Sequence, residues 1–197
     1  SKTNPSLLDI PKTVDIVQGD LAYIDSWKSE VERFQPQLAV HMAWESLPNY
    51  GAEASIRNLN HGLNLIRMLA DLECKSVICT GSCWEYGQQS GELSEDMILK
   101  PFNAFSAAKN ALQWVGREIA NECDMHFIWT RLFYVYGPRQ KATSLIPYII
   151  NCVQKGEELE IKTPSVKNDF IYVEDAARAI SAIIKKQHGT NIYNIGA

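Results

Sequence analysis

The chain has 197 residues, of which 46% are hydrophobic and 21% charged, so it can build the core of one or two globular domains and is not a disordered tail. The formal net charge is −4 with dispersed lysine and arginine, which excludes the basic patch that nucleic acids and anionic lipids require. No apolar run approaches the roughly 18 residues of a membrane span, and residues 1–12 lack a signal peptide's apolar centre, so we expect a cytoplasmic protein. The five cysteines form no CxxC pair, and we expect reduced thiols.

Two kinds of segment alternate along the first two thirds of the chain. Short runs rich in β-branched and aromatic residues, closed by turns or polar residues, predict buried parallel strands at 14–21, 37–43, 75–82 and 126–137. Apolar residues at spacings of three and four predict helices over 52–72 and 103–122, the second capped by Asn103. This rhythm predicts an α/β fold with a doubly wound parallel sheet.

The last third of the chain has shorter elements. In order, the patterns predict a helix at 144–156, strands at 158–162 and 169–173, a helix at 174–186 and a last strand at 191–196. They indicate a smaller mixed region beyond the main sheet.

The polar residues that follow the predicted strands are the candidates for ligand binding, because ligands of such sheets gather at the carboxyl ends of the strands. Here the sequence resembles a known family. The motifs that carry the resemblance occur in the family's order and spacing: VQGDL, PQLAVHMA, CTGSCWEYG, FSAAK, RLFYVYGPR, NDFIYVEDAARAI and YNIG. They resemble the extended short-chain dehydrogenase/reductases, in the NAD-dependent epimerase/dehydratase branch that acts on nucleotide sugars.

The resemblance implies a Rossmann-like fold that binds NAD or NADP, and it implies roles for five residues. Asp20 matches the aspartate that accepts a hydrogen bond from the adenine amino group, Leu21 packs beside that ring, and Ala43 lies along the cofactor. Ser82 matches the residue that hydrogen bonds the reacting oxygen of the sugar. Lys109 matches the lysine that binds the nicotinamide ribose and lowers the pKa of the catalytic phenol.

The position of that phenol holds Phe105 in this chain. A benzene ring cannot carry a proton, and general acid/base catalysis is worth about 10²- to 10⁴-fold, so the resemblance implies impaired catalysis. Three explanations stay open. They are an introduced Tyr→Phe change that traps a complex, a naturally inactive homologue, and a relocated acid such as Tyr86, Tyr136 or a water held by Ser82.

Two expected substrate-binding positions also differ from the family pattern. Tyr134 replaces an asparagine, and Asn168 replaces an arginine that commonly grips the diphosphate of the nucleotide. Loss of that guanidinium removes a bidentate phosphate contact, for which Arg139 or Lys141 is the alternative.

Other chemistries have weaker support. Cys83 and Trp84 stand where dehydratases of the family have an acidic pair, so sugar dehydration is disfavoured. The scattered histidines have no metal-ligand spacing, and we expect no metal site.

The family's glycine-rich turn, whose backbone amides bind the cofactor pyrophosphate, has no counterpart in these 197 residues. The pattern starts about one βαβ unit late and stops short of the family's C-terminal region. We therefore predict a partial dinucleotide-binding domain over 1–137 and a partial substrate-binding region over 138–197, interleaved with the last Rossmann strands. Without the first unit, the strand at 14–21 has no neighbour and the edge of 37–43 is exposed.

The favoured hypothesis is an NAD(P)-dependent epimerase or ketoreductase that acts on a nucleotide-activated sugar and is impaired by Phe105. The alternative is a non-catalytic homologue that binds a nucleotide or a partner. The resemblance also implies a homodimer, in which the helices at 52–72 and 103–122 pair as a four-helix bundle.

Overall fold

The structure, a computed structural model, describes residues 10–161, 163–186 and 189–197. Within these residues, two 3-10 helices, Leu21–Ser26 and Cys83–Tyr86, accompany the regular elements. The latter are, in chain order, α1 (Lys28–Phe34), β1 (Leu38–His41), α2 (Ala52–Asp71), β2 (Ser76–Ser82), α3 (Ala104–Glu122), β3 (His126–Leu132), β4 (Tyr134–Tyr136), α4 (Leu145–Lys155), β5 (Phe170–Tyr172), α5 (Val173–Lys186) and β6 (Asn191–Ile195).

In the described part of the chain, four strands form the main sheet in the order β1-β2-β3-β6, and every neighbouring pair is parallel. The predicted parallel α/β sheet is therefore confirmed. The last strand, β6, joins this sheet beside β3, whereas β4 and β5 form a separate parallel pair. The division of the chain into two partial domains at residue 137 stays a prediction.

The main sheet is covered on both faces, which explains its continuous apolar strands. In β2, Val77 and Cys79 join a core with α2 and α3, whereas Ile78 joins a second core with α5. Since alternate residues of a strand point to opposite faces, α5 lies across the sheet from α2 and α3. A doubly wound arrangement follows.

The helix α3 begins as the sequence predicts. The Asn103 side chain accepts a hydrogen bond from the Ser106 backbone N–H at 2.9 Å, and the Ser106 hydroxyl completes the reciprocal cap. This cap sets the first turn, so that Phe105 and Lys109 lie one turn apart on the buried side of the helix.

The predicted strand at 14–21 is wrong. Residues 15–20 form no regular element, and a 3-10 helix begins at Leu21. The side chains of Val14, Ile16 and Val17 are about half exposed. No described strand pairs with this segment or with the outer edge of β1, and a strand needs such a neighbour to satisfy its backbone.

The predicted strand at 126–137 divides into two. The Phe133 backbone N–H still donates to Ile195 in the main sheet, but the Tyr134 N–H donates to Asp169 beside β5. The chain therefore changes partner between these two residues. The strand predicted at 158–162 is also wrong over 158–161, which form no strand, and Lys162 lies outside the described residues.

Within the described ranges, no helix combines the length and the apolar character needed to cross a membrane.

Candidate active site

A tight turn follows β2 at its carboxyl end and carries Ser82. The Ser82 Oγ accepts a hydrogen bond from the Trp84 backbone N–H at 3.2 Å, and Glu85 Oε1 accepts one from the Ser82 N–H at 2.7 Å. This reciprocal capping box closes the 3-10 helix Cys83–Tyr86 and fixes the backbone of Ser82.

The Glu85 carboxylate holds this turn in the core. The side chain is fully buried and accepts hydrogen bonds from Arg131 Nε at 2.8 Å and Trp129 Nε1 at 3.0 Å. Gly81 has to be a glycine here, since an added Cβ would lie 2.4 Å from Glu85 Oε1 and 2.3 Å from Trp129 Nε1. A buried carboxylate with several donors is a rigid support for the turn.

Arg131 and Tyr86 extend the network to α3 and β6. Arg131 donates to the Tyr86 hydroxyl at 2.9 Å and to Gln113 of α3 at 3.1 Å, and the Tyr86 hydroxyl donates to Asn194 of β6 at 2.7 Å. Burial raises the pKa of Tyr86. As a relocated acid, Tyr86 therefore starts with its hydroxyl committed to two partners in the core, which weakens that alternative.

Lys109 lies beside the same turn. Its Nζ donates to the Thr80 carbonyl of β2 at 2.7 Å, and the side chain is only 5% exposed. Burial lowers the pKa of Lys109 to about 8, and the charge of Glu85 opposes that shift. The Trp44 ring covers the ammonium group, whose nitrogen lies 4.1 Å from the ring centroid.

Phe105 is the centre of a cluster of rings, which we call the aromatic cluster: Trp44, Tyr50, Trp84 and Phe105. The Phe105 ring centroid lies 5.3 Å from those of Trp44 and Tyr50 and 5.8 Å from that of Trp84, all edge to face. Such pairs are favourable contacts. Phe105 is buried, and its ring centroid lies 6.0 Å from the Lys109 Nζ.

The structure thus places the three predicted catalytic residues around the carboxyl end of β2: Ser82 lies in the turn, Phe105 packs on Trp84 of that turn, and Lys109 donates to the Thr80 carbonyl. It adds the predicted substrate residue Tyr134, whose hydroxyl accepts a hydrogen bond from Trp84 Nε1 at 3.1 Å. The roles of these residues stay predictions.

The other two predicted substrate residues lie outside the aromatic cluster. Arg139 has a positive φ of 69° and lines a cleft of about 460 Å³ between β4 and α4. Asn168 is exposed in the segment before β5.

The predicted adenine-binding residues lie near the amino end of the described chain. Asp20 is exposed, and its carboxylate accepts a hydrogen bond from the Ala22 N–H at 2.9 Å. Leu21 is half-buried and lines a cleft of about 520 Å³ beside α2. Ala43 is exposed immediately after β1.

These residue types suit a dinucleotide cofactor, but their side chains differ in how accessible they are to a ligand. The Asp20 carboxylate and Ala43 face solvent, whereas the Lys109 ammonium, which the ribose hydroxyls would need, lies under Trp44.

Sequence reasoning assigned no role to two residues of this site, Trp44 and Glu85, although both follow predicted strands. Glu85 had a detectable signal, because it stands three positions after Ser82 in the S-x-x-E spacing of a capping box. Trp44 had only its position just after the strand predicted at 37–43, which does not show that its ring contacts Lys109. Among the described residues, no group of three His, Cys, Asp or Glu side chains could hold a metal ion.

Comparison with known proteins places these motifs in one family. A family model described as "NAD dependent epimerase/dehydratase family" matches residues 1–196. A CDP-abequose synthase of Salmonella muenchen is 36% identical over 132 residues, which are 66% of this chain and 42% of that protein. The low-salt glycan biosynthesis protein Agl12 of Haloferax volcanii is 32% identical over 114 residues, 57% of this chain and 37% of that protein.

Solved structures show the same fold. A UDP-glucose 4-epimerase of Thermotoga maritima, solved with UDP-glucose, aligns with a TM-score of 0.83 at 19% identity over 97% of this chain and 65% of that chain. The enzyme WbmG of Bordetella bronchiseptica, solved with NAD and UDP, aligns with a TM-score of 0.78 at 18% identity over 98% of this chain and 61% of that chain. The chain thus spans less than half of the two curated relatives and under two thirds of the two structures.

With the family match extending over nearly every residue and the parallel sheet agreeing with it, this chain belongs to the NAD dependent epimerase/dehydratase family.

Proposed function

We propose that this protein is an NAD-dependent epimerase or ketoreductase of a nucleotide-activated sugar, and that Phe105 keeps its turnover low. One observation supports this most: the Ser82 turn and Lys109 meet at the carboxyl end of β2, with the Phe105 ring beside both. The relatives that carry NAD or a UDP-sugar in their structures support the ligand class.

Ser82, Lys109 and Phe105 have separate roles in the proposed reaction. When bound, the nicotinamide supplies or accepts the hydride. The Ser82 hydroxyl donates a hydrogen bond to the reacting sugar oxygen, from a turn that Glu85 keeps rigid. Lys109 positions the ribose. Phe105 occupies the place of the proton carrier without a hydroxyl, so no side chain at this position moves the proton.

The test is to return the phenol with Phe105→Tyr. We expect turnover of a UDP-, dTDP- or CDP-sugar to rise by about 10²- to 10⁴-fold, the usual worth of general acid/base catalysis. Product formation is followed by anion-exchange chromatography, and NADH by its absorbance. The matched control is Phe102→Tyr, since Phe102 is half exposed and packs on Trp84 rather than on Lys109.

A second candidate function is a non-catalytic binding protein that retains the fold. It is favoured by the packing of Phe105 against three rings and by the covered ammonium of Lys109. It predicts that calorimetry detects nucleotide-sugar binding while Phe105→Tyr leaves turnover at zero. That result would exclude the first candidate.

The proposal includes a homodimer in the cytoplasm. α2 and α3 pack against each other and carry exposed apolar side chains, namely those of Ile56, Trp114 and Val115. All five cysteines are free thiols, as a reducing compartment would keep them.

A further inference from the structure

Residues 44–50, which we call the flap, lie between β1 and α2 and place Trp44 over Lys109. Asn58 of α2 holds one end, where its Oδ1 accepts a hydrogen bond from the Glu45 N–H at 2.7 Å. Lys141 reaches the middle of the flap, and its Nζ donates to the Leu47 carbonyl at 3.0 Å. The Lys141 contact is exposed, so the middle of the flap is held by a hydrogen bond that competes with water.

Both ends of the flap place a ring on Phe105. Trp44 packs on it edge to face at 5.3 Å, and Tyr50 packs on it at the same distance while also lying 4.7 Å from Trp84. The flap thereby completes the aromatic cluster, and Trp44 is its only ring within 4.1 Å of the Lys109 nitrogen among the described contacts.

Two features of the Trp44 indole have opposite effects on the stability of its position over Lys109. Its ring faces the buried ammonium, a contact that gains strength when water is excluded, and this favours the closed position. Its Nε1, however, is buried with no hydrogen-bond partner among the described residues. Turning the indole outward would return that N–H to water, so the closed position carries a cost that an open position does not.

We propose that Trp44 controls access to Lys109: with the indole in place the ammonium is closed to ligand, and the cofactor ribose reaches it only when the indole swings away. This rests on the proposed function in one respect, namely that the ligand is a nicotinamide dinucleotide. The covering role itself depends only on the contacts of Trp44 with Lys109 and Phe105.

A ligand that requires the open position binds with an affinity reduced by the open fraction. Removal of the indole removes that reduction. We therefore expect Trp44→Ala to bind NADH about tenfold more tightly than the unchanged chain, the factor expected for loss of one desolvated cation–π contact. Trp44→Phe, which keeps an apolar ring of smaller size, is expected to lie between the two.

The first experiment needs no cofactor. Reductive methylation with formaldehyde and a borane at pH 8 modifies accessible unprotonated amines, and peptide mass spectrometry gives the rate for each lysine. We expect Trp44→Ala to raise the labelling rate of Lys109 at least about tenfold over the unchanged chain, while the exposed Lys155 keeps its rate and serves as the internal reference. With a pKa of about 8, about half of Lys109 carries an unprotonated amine at pH 8, so its labelling reports whether the reagent can reach it.

Phe102→Ala is the matched control, because it removes an aromatic ring that contacts Trp84 and leaves Trp44 in place. It should leave the labelling rate of Lys109 unchanged. Circular dichroism melts identify any variant that fails to fold, and Trp44→Phe then provides the comparison. A labelling rate of Lys109 that is equal with and without the indole overturns the proposal.

The second experiment is an NADH titration followed by the fluorescence of the bound nucleotide. Tighter binding in Trp44→Ala, abolished when Lys109→Met is added, supports the proposal. NADH affinity that Trp44→Ala leaves unchanged overturns it. Faster labelling with no NADH binding by any variant instead counts against the proposed function, and the covering role of Trp44 stands.

Discussion

Lys109 combines a charge with almost complete burial, and that combination makes the stability of the protein depend on pH. Burial lowers its pKa to about 8, below the ordinary value of about 10.4 that applies in the unfolded chain. Between these two values the unfolded chain binds more protons than the folded chain. The free energy of unfolding therefore rises with pH across this window, and the gain is lost as the pH falls through 8.

The expected result is that the unchanged chain gains about 2 kcal/mol relative to Lys109→Met between pH 7 and pH 10. Urea unfolding at four pH values in this range measures it. The comparison with Lys109→Met cancels the titration of cysteines and tyrosines that both proteins share. Parallel curves for the two proteins would show that Lys109 ionises as a free lysine and contradict the buried geometry.

At the scale of one residue, prediction succeeds where the signal is local. The spacing from Phe105 to Lys109 fixes their common helix face, and the structure places both in the core. Trp44 shows the limit, since its position over Lys109 depends on how β1 and α3 come together. The sequence places Trp44 just after a predicted strand, but it does not show which residue of α3 the ring contacts.

At the scale of the element, the turn after β2 depends on a buried ion pair. Glu85 and Arg131 are both almost fully buried and 2.8 Å apart, and Glu85 also receives the Ser82 N–H. Removing one partner leaves an uncompensated charge in the core, which typically costs about 3–5 kcal/mol. We expect Glu85→Ala to lower the free energy of unfolding by that amount in a denaturant titration.

The control for this prediction is the double variant Glu85→Leu with Arg131→Met, which removes both charges and keeps apolar volume. It should cost less than Glu85→Ala, because no unpaired charge remains. A cost below about 1 kcal/mol for Glu85→Ala would show that the pair does not support the turn.

Helices and strands differ in how far their sequence determines them. The helices predicted at 52–72 and 103–122 agree with α2 and α3 to within a residue at each end, because a helix satisfies its backbone from its own residues. The segment 14–21 has the composition of a strand, but a strand requires a neighbour, and the described chain provides none beside it. Pairing also explains why the strand predicted at 126–137 divides, since the Tyr134 backbone N–H donates to the Asp169 carbonyl and not to the main sheet.

At the scale of the whole molecule, the parallel sheet and its two cores follow from the alternation of elements, whereas the small β4-β5 sheet could not be predicted. Its pairing joins residues 134–136 to 170–172 across the helix α4. Neither run is long enough for its pattern to identify a partner. The aromatic contact of Tyr134 with Phe170, at 5.5 Å between ring centroids, is a consequence of this pairing and not a signal for it.

The outer surface of α2 and α3 carries the last prediction, which concerns assembly. Ile56 and Val115 are exposed at 57% and 43%, although both helices bury another face against the sheet. Apolar side chains left exposed on two packed helices are covered when a second copy pairs with them.

Sedimentation should therefore give twice the mass of the 22.2 kDa chain, and the double variant Ile56→Asp with Val115→Asp should sediment as a monomer. Since both positions are exposed in the single chain, the monomeric variant should keep its far-ultraviolet spectrum. Val153→Asp, at a 71% exposed position of α4, is the control that should stay dimeric. An unchanged chain that sediments as a monomer at tens of micromolar would contradict the pairing, and the exposed side chains would then be ordinary surface residues.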